Sequence, residues 1–352
     1  MDAIIGATAL LGESLTLVPD SVVLLSDDRI AAAGPSSSVE IPPQANVFDA
    51  SDMFLVPGFI DCHVHIGFHS PRTLLLGGVT TARDLAWPPH LIWPLVEGSR
   101  APESGPLLVA AGQMLTAPDG YPTRASWAPK GTGRIVASPG DASTAVAEQA
   151  DGGAAVIKVA LNPAVGPTLD EATLELIVTA ARERGLGVTG HVAGLNELVK
   201  ALDAGMDELA HMLMGPDAIP AELIERMVAQ RIVIVPTLSV RRGADRRTAV
   251  ANLEAFLAAG GEVVYGTDLG NAGPRPGIDR LEVTAMEAAG MTPRDIVAAA
   301  TRDAARHLRL HDRGVIAEGK FADLVGLNRA HLERARDLVR VGAVWRQGVR
   351  AR

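Results

Sequence analysis

From residue 54 onward the chain repeats a single alternation. Short runs of apolar, β-favouring residues bounded by Gly, Pro or Asp give way to longer stretches in which apolar residues recur every three or four positions. The runs at 55–66, 78–84, 107–114, 155–161, 187–193, 207–212, 232–239 and 262–269 predict strands. The stretches at 141–152, 170–185, 195–205, 218–230, 247–260 and 280–290 predict helices, and the turn after the first strand leaves room for only a short one. In 170–185 the periodic set is Thr173, Leu174, Ile177, Val178 and Ala181, with Gly185 as a C-terminal stop. Eight strands alternating with helices over about 250 residues predict an α/β fold of the (β/α)8 TIM-barrel type, spanning 54–312.

The flanks have a different texture. Residues 15–18, 21–25, 29–33 and 46–48 read as short strands separated by Pro, Gly, Asp and Ser, which suggests a small sheet or sandwich. Such a fragment is too small to bury much surface alone. After a helical segment at 293–309, strand-and-turn texture returns at 314–327 and 339–348. The expected organisation is a composite β-sandwich from 1–53 plus 313–352 around a barrel of 54–312.

Composition narrows the partners. Of the 352 residues 47% are apolar and only 3% aromatic, so the core must be built from Ala, Val, Leu and Ile. The net charge of −9, with no block of like charges, argues against nucleic acid and anionic membrane as partners. Cys62 is the only cysteine, so no intrachain disulfide is possible and a reducing compartment is suggested. No apolar run reaches about 18 residues, and the first residues lack a basic head followed by an apolar stretch. A cytoplasmic location is the expectation.

In a parallel barrel the active site lies at the C-terminal ends of the strands, and here those ends carry ligand-type side chains. Phe54-Leu-Val-Pro-Gly-Phe-Ile-Asp-Cys-His-Val-His65 ends in two histidines, and strand alternation places Asp61, His63 and His65 on one face. Two imidazoles about 7 Å apart along one face can converge on a metal ion. The fifth strand ends with His191, the sixth with His211 and the eighth with Asp268. Lys158 sits in the apolar run of the fourth, where a lone ammonium costs several kcal/mol unless neutralised or paired. A deprotonated lysine amine can add carbon dioxide, and the carbamate is an anionic oxygen ligand able to bridge two cations. Each residue alone has a bland reading as a core histidine, a snorkelling lysine or a turn aspartate. Their joint placement at one rim favours a site.

The set Pro57-Gly-Phe-Ile-Asp-Cys-His-Val-His65, Lys158, His191, His211 and Gly266-Thr-Asp268 resembles the amidohydrolase superfamily. Gly78-Val-Thr-Thr-Ala-Arg-Asp84 together with Ala210-His211 is similar to its imidazolonepropionase-like and prolidase-like branch, and the resemblance extends to Gly319-Lys-Phe-Ala-Asp-Leu-Val325. It implies a barrel with a sandwich made from both termini and two divalent metal ions, usually zinc. It also implies that His63, His65 and Asp268 hold one ion and His191 and His211 the other, with N6-carboxylated Lys158 and a hydroxide bridging them. Asp268 is then placed to take a proton from water and pass it to the leaving nitrogen. Asp61 is better read as a structural group satisfying a nearby donor.

The implied activity is metal-dependent hydrolysis of an amide bond in an N-acyl amino acid, a dipeptide or a cyclic amide. Lactone, ester and carbamate substrates share the same chemistry and stay open. A mononuclear deaminase is disfavoured by Lys158 and by the lack of an acid close after His191 before Glu197. A non-catalytic scaffold is disfavoured because all six ligand-type residues are kept. His69, Tyr121, Asn162 and Asn271 lie just beyond strand ends or in the long 115–140 segment and are candidate substrate contacts; that segment reads as a lid or as a solvated excursion. His307, His311 and His331 read as surface residues of the tail. The expected partner is a small-molecule substrate, and a homo-oligomer is left open.

Overall fold

The computed structural model describes residues 1–213, 215, 218–329 and 331–352. Its strands fall into three sheets. Phe59–Val64, Val79–Asp84 and Leu107–Ala110 form a parallel sheet of three. A parallel sheet of seven runs in the order Gly133–Ile135, Met114–Thr116, Ile157–Leu161, Val188–Val192, Glu208–Leu209, Val233–Ile234, Glu262–Val263. Backbone hydrogen bonds join these two sheets at both edges. Cys62 N donates to Tyr265 O at 2.9 Å and Asp268 N to His63 O at 2.8 Å, while Ala155 N donates to Ala110 O at 2.8 Å.

Helices alternate with these strands as the periodicity predicts. Ala142–Asp151, Glu171–Glu183, Leu195–Asp203, Ala221–Ala229, Gly243–Ala258 and Arg280–Ala288 match the six expected stretches. Asp170 caps the second of them by accepting from Thr173 N at 2.7 Å. The segment expected at 293–309 is two helices, Pro293–Ala300 and Arg302–His307, divided by Thr301 at φ −134° and ψ −88°. Among the described residues, no helix is long and apolar enough to cross a membrane.

The strand expected at 55–66 divides at Gly58. Phe54–Pro57 leaves the parallel system and pairs with Asp2–Leu11 on one side and Leu324–Leu327 on the other. A Cβ at position 58 would stand 2.1 Å from Thr80 Oγ1, so the crossover needs glycine. The terminal segments share one eight-stranded sheet that also includes Thr16–Ser26, Arg29–Pro35, Asn46–Asp49, Val341–Arg346 and Val349–Arg350. Strand alternation gives this sheet two apolar faces. Leu55, Leu324, Ala343 and Trp345 enter a local core with Ile4, Val23 and Ile30, whereas Phe54, Val56, Val325 and Val344 pack into the main core with residues of the helices and parallel strands.

Regular strand pairing is short where the site begins. The runs expected at 207–212, 232–239 and 262–269 contribute only two ladder residues each. Beyond those pairs the chain turns, and Thr237 and Asp268 take left-handed backbone conformations at φ 47° and 55°. The segment 115–140 carries one short strand, Gly133–Ile135, paired with Met114–Thr116, so it is tethered to the sheet.

Candidate metal centre

Five strand ends deliver one buried cluster. His63, His65, Lys158, His211 and Asp268 are buried, and His191 lies beside them with its ring largely covered. The Nε2 atoms of His63 and His65 each stand 3.2 Å from Asp268 Oδ1. These three side chains bring ligand atoms within 4.8 Å of one another. Their tautomers are set from behind: His63 Nδ1 meets Ala210 O at 2.9 Å and His65 Nδ1 meets Ala86 O at 3.3 Å. A nitrogen facing a carbonyl carries the hydrogen, so in the neutral rings both Nε2 atoms present lone pairs toward a carboxylate oxygen. Three converging lone pairs repel unless a cation lies among them, so the set fits a metal ion.

The second pair has the same character. His211 Nε2 lies 2.9 Å from His191 Nδ1, and His211 Nδ1 lies 2.8 Å from the Thr237 hydroxyl. His191 Nε2 meets the Asn162 side-chain amide at 3.2 Å. Each imidazole therefore has one nitrogen held by a neighbour and the other turned inward. Lys158, fully buried, has no hydrogen-bond partner for its Nζ.

Electrostatics agree with this picture. Burial lowers the Lys158 amine to about 7; Glu208 and Asp268 oppose the shift and Arg83 adds to it. Burial, with Lys158 and Arg241 nearby, lowers His191 to about 3, and burial also holds His63 and His211 well below the ordinary range. Burial alone would raise Asp268, but His63 and His65 hold its carboxyl below the usual carboxylate range. Burial would lower His65 too, but its hydrogen bond and charge contact with Asp268 raise it above the ordinary imidazole value, so a metal ion there would displace a proton.

Supporting acids fix the frame. Asp61 accepts from His63 N and Thr267 N, each at 3.1 Å, and from Thr267 Oγ1 at 2.7 Å. It is the structural group that the sequence suggested. Asp84 accepts from Ile66 N at 2.8 Å and Ala86 N at 3.1 Å, tying the His65 loop to the carbonyl that His65 faces.

The cluster lies at the floor of a cavity of about 560 Å³. Tyr121 and Asn271 line it, as the sequence suggested. The Tyr121 ring stands 5.0 Å from that of His191, and Trp127 stands 5.1 Å from His65. Asn162 meets His191 instead of lining the cavity, and His69, on the far side of Ile66–Phe68, is not part of the lining. Arg241 and Arg242 do line it, although the sequence reading passed over them. Two arginines immediately after a strand at the active-site rim were the available signal. His307 is a correction: it is no surface residue but is half-buried, its Nε2 against Glu208.

Comparison with known proteins places this geometry in a family. The chain is 28% identical to the imidazolonepropionase of Streptomyces griseus over 96% of its length and 94% of the relative's. It is 29% identical to the adenine deaminase of Deinococcus deserti over 86% of its length and 52% of the relative's. Among solved structures, an Xaa-Pro dipeptidase with bound methionine superposes with a TM-score of 0.86 at 20% identity, covering 99% of both chains. The ochratoxinase of A. niger does so with a TM-score of 0.81 at 22% identity, covering 99% of this chain and 95% of that one. At these identities the structures show a shared fold. The amidohydrolase family pattern matches residues 54–348, and the chain belongs to the amidohydrolase family.

Proposed function

We propose that this protein is a metal-dependent hydrolase cleaving an amide bond of a small molecule on a centre of two divalent ions, with zinc the first candidate. His63, His65 and Asp268 would hold one ion, His191 and His211 the other, and carboxylated Lys158 both. The observation that carries the reading is Lys158: a buried amine without a partner, in one cavity with His63 and His65, whose Nδ1 atoms meet carbonyls and whose Nε2 atoms turn to Asp268. The family membership and the C–N hydrolases and prolidase-like folds among its relatives support it. The hydrogen bonds at both sheet joins support a closed eight-stranded (β/α)8 barrel over 54–312. The shared terminal sheet supports a composite β-sandwich domain of 1–53 plus 313–352.

Divalent ions bound there supply a polarising charge for the scissile carbonyl and lower the pKa of water toward neutrality. The chain supplies the rest. Carboxylation proceeds by attack of the neutral Lys158 Nζ on the carbon of carbon dioxide, with one proton released to solvent. Ala210 O and Ala86 O keep the histidine tautomers fixed. Asp268 stays ionised at neutral pH and is placed to accept a proton from water and deliver it to the departing nitrogen. Tyr121 and Trp127 cover the histidines and exclude bulk water.

A deaminase with one ion is the second reading, favoured by the adenine deaminase relatives. Lys158 opposes it, because a single-ion site has no use for a buried bridging lysine. Elemental analysis of protein prepared with zinc and bicarbonate, joined to an assay of amide hydrolysis, decides between them. About two ions per chain with amide cleavage support the proposal. One ion with ammonia release replaces it with the deaminase, and no ion with no turnover replaces it with a scaffold.

A further inference from the structure

The cavity above the metal centre is unevenly charged. Arg241 and Arg242 line it, and among the described residues its only carboxylate is Asp268, which is already engaged by His63 and His65. Arg241 is the more buried of the two. Its Nε is shielded from solvent with no hydrogen-bond partner, and no ion pair among the described residues reaches its guanidinium. A guanidinium is always charged and its donors form a planar fork that matches a carboxylate. An unpaired one facing a cavity is a site waiting for an anion.

Its backbone is held in place independently of any ligand. The turn Thr237–Arg241 is pinned by buried Glu282, which accepts from Leu238 N at 3.0 Å and Ser239 N at 2.7 Å. Ser239 Oγ donates to Thr267 O at 3.1 Å, and Arg246 donates to Leu238 O and Ser239 O, both at 3.3 Å. The same turn gives the Thr237 hydroxyl to His211. Arg241 is therefore fixed relative to the metal ligands, as a specificity group must be.

The two sides of the cavity differ in kind. Tyr121, Trp127 and Met114 pack on one another as an apolar group, whereas Asn271 donates to Asp268 O at 3.1 Å and Asp268 is the charge that acts most strongly on Arg241. Asp268 delivers the proton to the leaving nitrogen, so the leaving amine faces Arg241 and the acyl group faces the aromatic side. Resting on the hydrolase reading above, we propose that Arg241 anchors a free carboxylate on the leaving-amine half of the substrate. The substrate class is then the N-acylated amino acids with an uncharged, apolar acyl group. In their cleavage a C–O bond forms from water, the C–N bond breaks, and the nitrogen gains the proton, giving a carboxylate and a free amino acid. A dipeptide with a free amine fits poorly, because no carboxylate is left among the described lining residues to meet its ammonium.

The test separates binding from turnover. The probes are 3-benzoylpropionate, an uncleavable ketone analogue of N-benzoylglycine, and its neutral carboxamide, titrated by calorimetry into the metal-loaded protein. The acid should bind about 10- to 100-fold more tightly than the amide. Arg241→Gln should bring that ratio close to one, and Arg241→Lys should keep part of it, which guards against misfolding as the cause. Equal binding of acid and amide to the wild type, no binding of the acid, or an unchanged ratio in Arg241→Gln overturns the proposal. Turnover of N-benzoylglycine against phenylalanylglycine is measured in parallel. Faster cleavage of the acylated compound is expected, and faster cleavage of the free-amine dipeptide overturns the substrate class. If the acid binds through Arg241 but neither compound is cleaved, the hydrolase reading falls and the anion site stands.

Discussion

Nδ1 of His191 and Nε2 of His211 face each other at 2.9 Å, each ring held from behind by a polar neighbour, Asn162 for the first and Thr237 for the second. Two imidazole nitrogens at that distance share one proton at best, and burial keeps a second proton away. An ion between them would satisfy both lone pairs. His211→Ala should therefore lower metal content from about two ions per chain to about one and reduce kcat/KM by at least about 100-fold. Elemental analysis beside the assay checks it; two ions retained in the variant would place the second ion elsewhere.

Asp268 is best tested with asparagine, for a backbone reason as well as a chemical one. Its φ of 55° lies in the left-handed region, which asparagine tolerates and most other residues do not. Asp268→Asn should keep the fold, with a melting temperature near that of the wild type, while turnover falls by about 100- to 10,000-fold through loss of the proton carrier. Near-normal rates would assign the proton transfer to another group.

Lys158 gives a pH prediction with a definite direction. In the metal-free protein its amine titrates near 7, below the value of 10.5 expected of a free lysine. Between those values the unfolded chain binds a proton that the folded chain does not, so stability rises with pH from about 7 to about 10.5. Lys158→Met removes this cost. In metal-free, carbon dioxide-free buffer at pH 7 the variant should be more stable by about 4 kcal/mol, and its stability should lack the rise above pH 7. Metal content and turnover should be lost, with partial rescue of turnover by a short carboxylic acid. Urea denaturation across pH checks the first part; a destabilised variant would mean that the lysine is charged and paired when folded.

Five of the six ligand-type residues stood out because they close apolar runs whose ends a parallel barrel would gather at one rim, and Lys158 because it interrupts one. Helices were legible from their period, and the strands from Phe59 to Val192 from theirs. What the pattern could not show was how soon the later strands stop. Val233–Ile234 is followed by the left-handed Thr237 and the turn that carries Arg241, features set by Glu282 some forty residues downstream. No local signal encodes that contact. The split at Gly58 was hidden for a similar reason: Phe54–Pro57 and Phe59–Val64 read as one apolar run, and only the close approach of Thr80 separates them. His307 looked like a tail residue because its partner, Glu208, lies 99 residues earlier on the strand Glu208–Leu209.

That partner belongs to a buried charged cluster between the two parallel sheets. Arg83, on the strand Val79–Asp84 of the three-stranded sheet, donates to both Glu208 oxygens at 2.7 Å and to Cys62 O at 2.8 Å. Glu208, on the seven-stranded sheet, also accepts from Thr189 Oγ1 at 2.5 Å and meets His307 Nε2. Burial would raise the Glu208 carboxyl, but Arg83 and His307 hold it ionised below its usual range. The pair thus ties the two parallel sheets across their interior. A buried pair is weakly stabilising against an apolar replacement but costly to break from one side. Glu208→Gln should leave Arg83 uncompensated and cost about 3 to 5 kcal/mol. The double variant Arg83→Met/Glu208→Gln should recover most of that loss, because it removes both charges and their desolvation together. A double-mutant cycle by urea denaturation at fixed metal content reads this out. Additive losses in the double variant would show that each residue acts separately and that the sheets are held together by their packing alone.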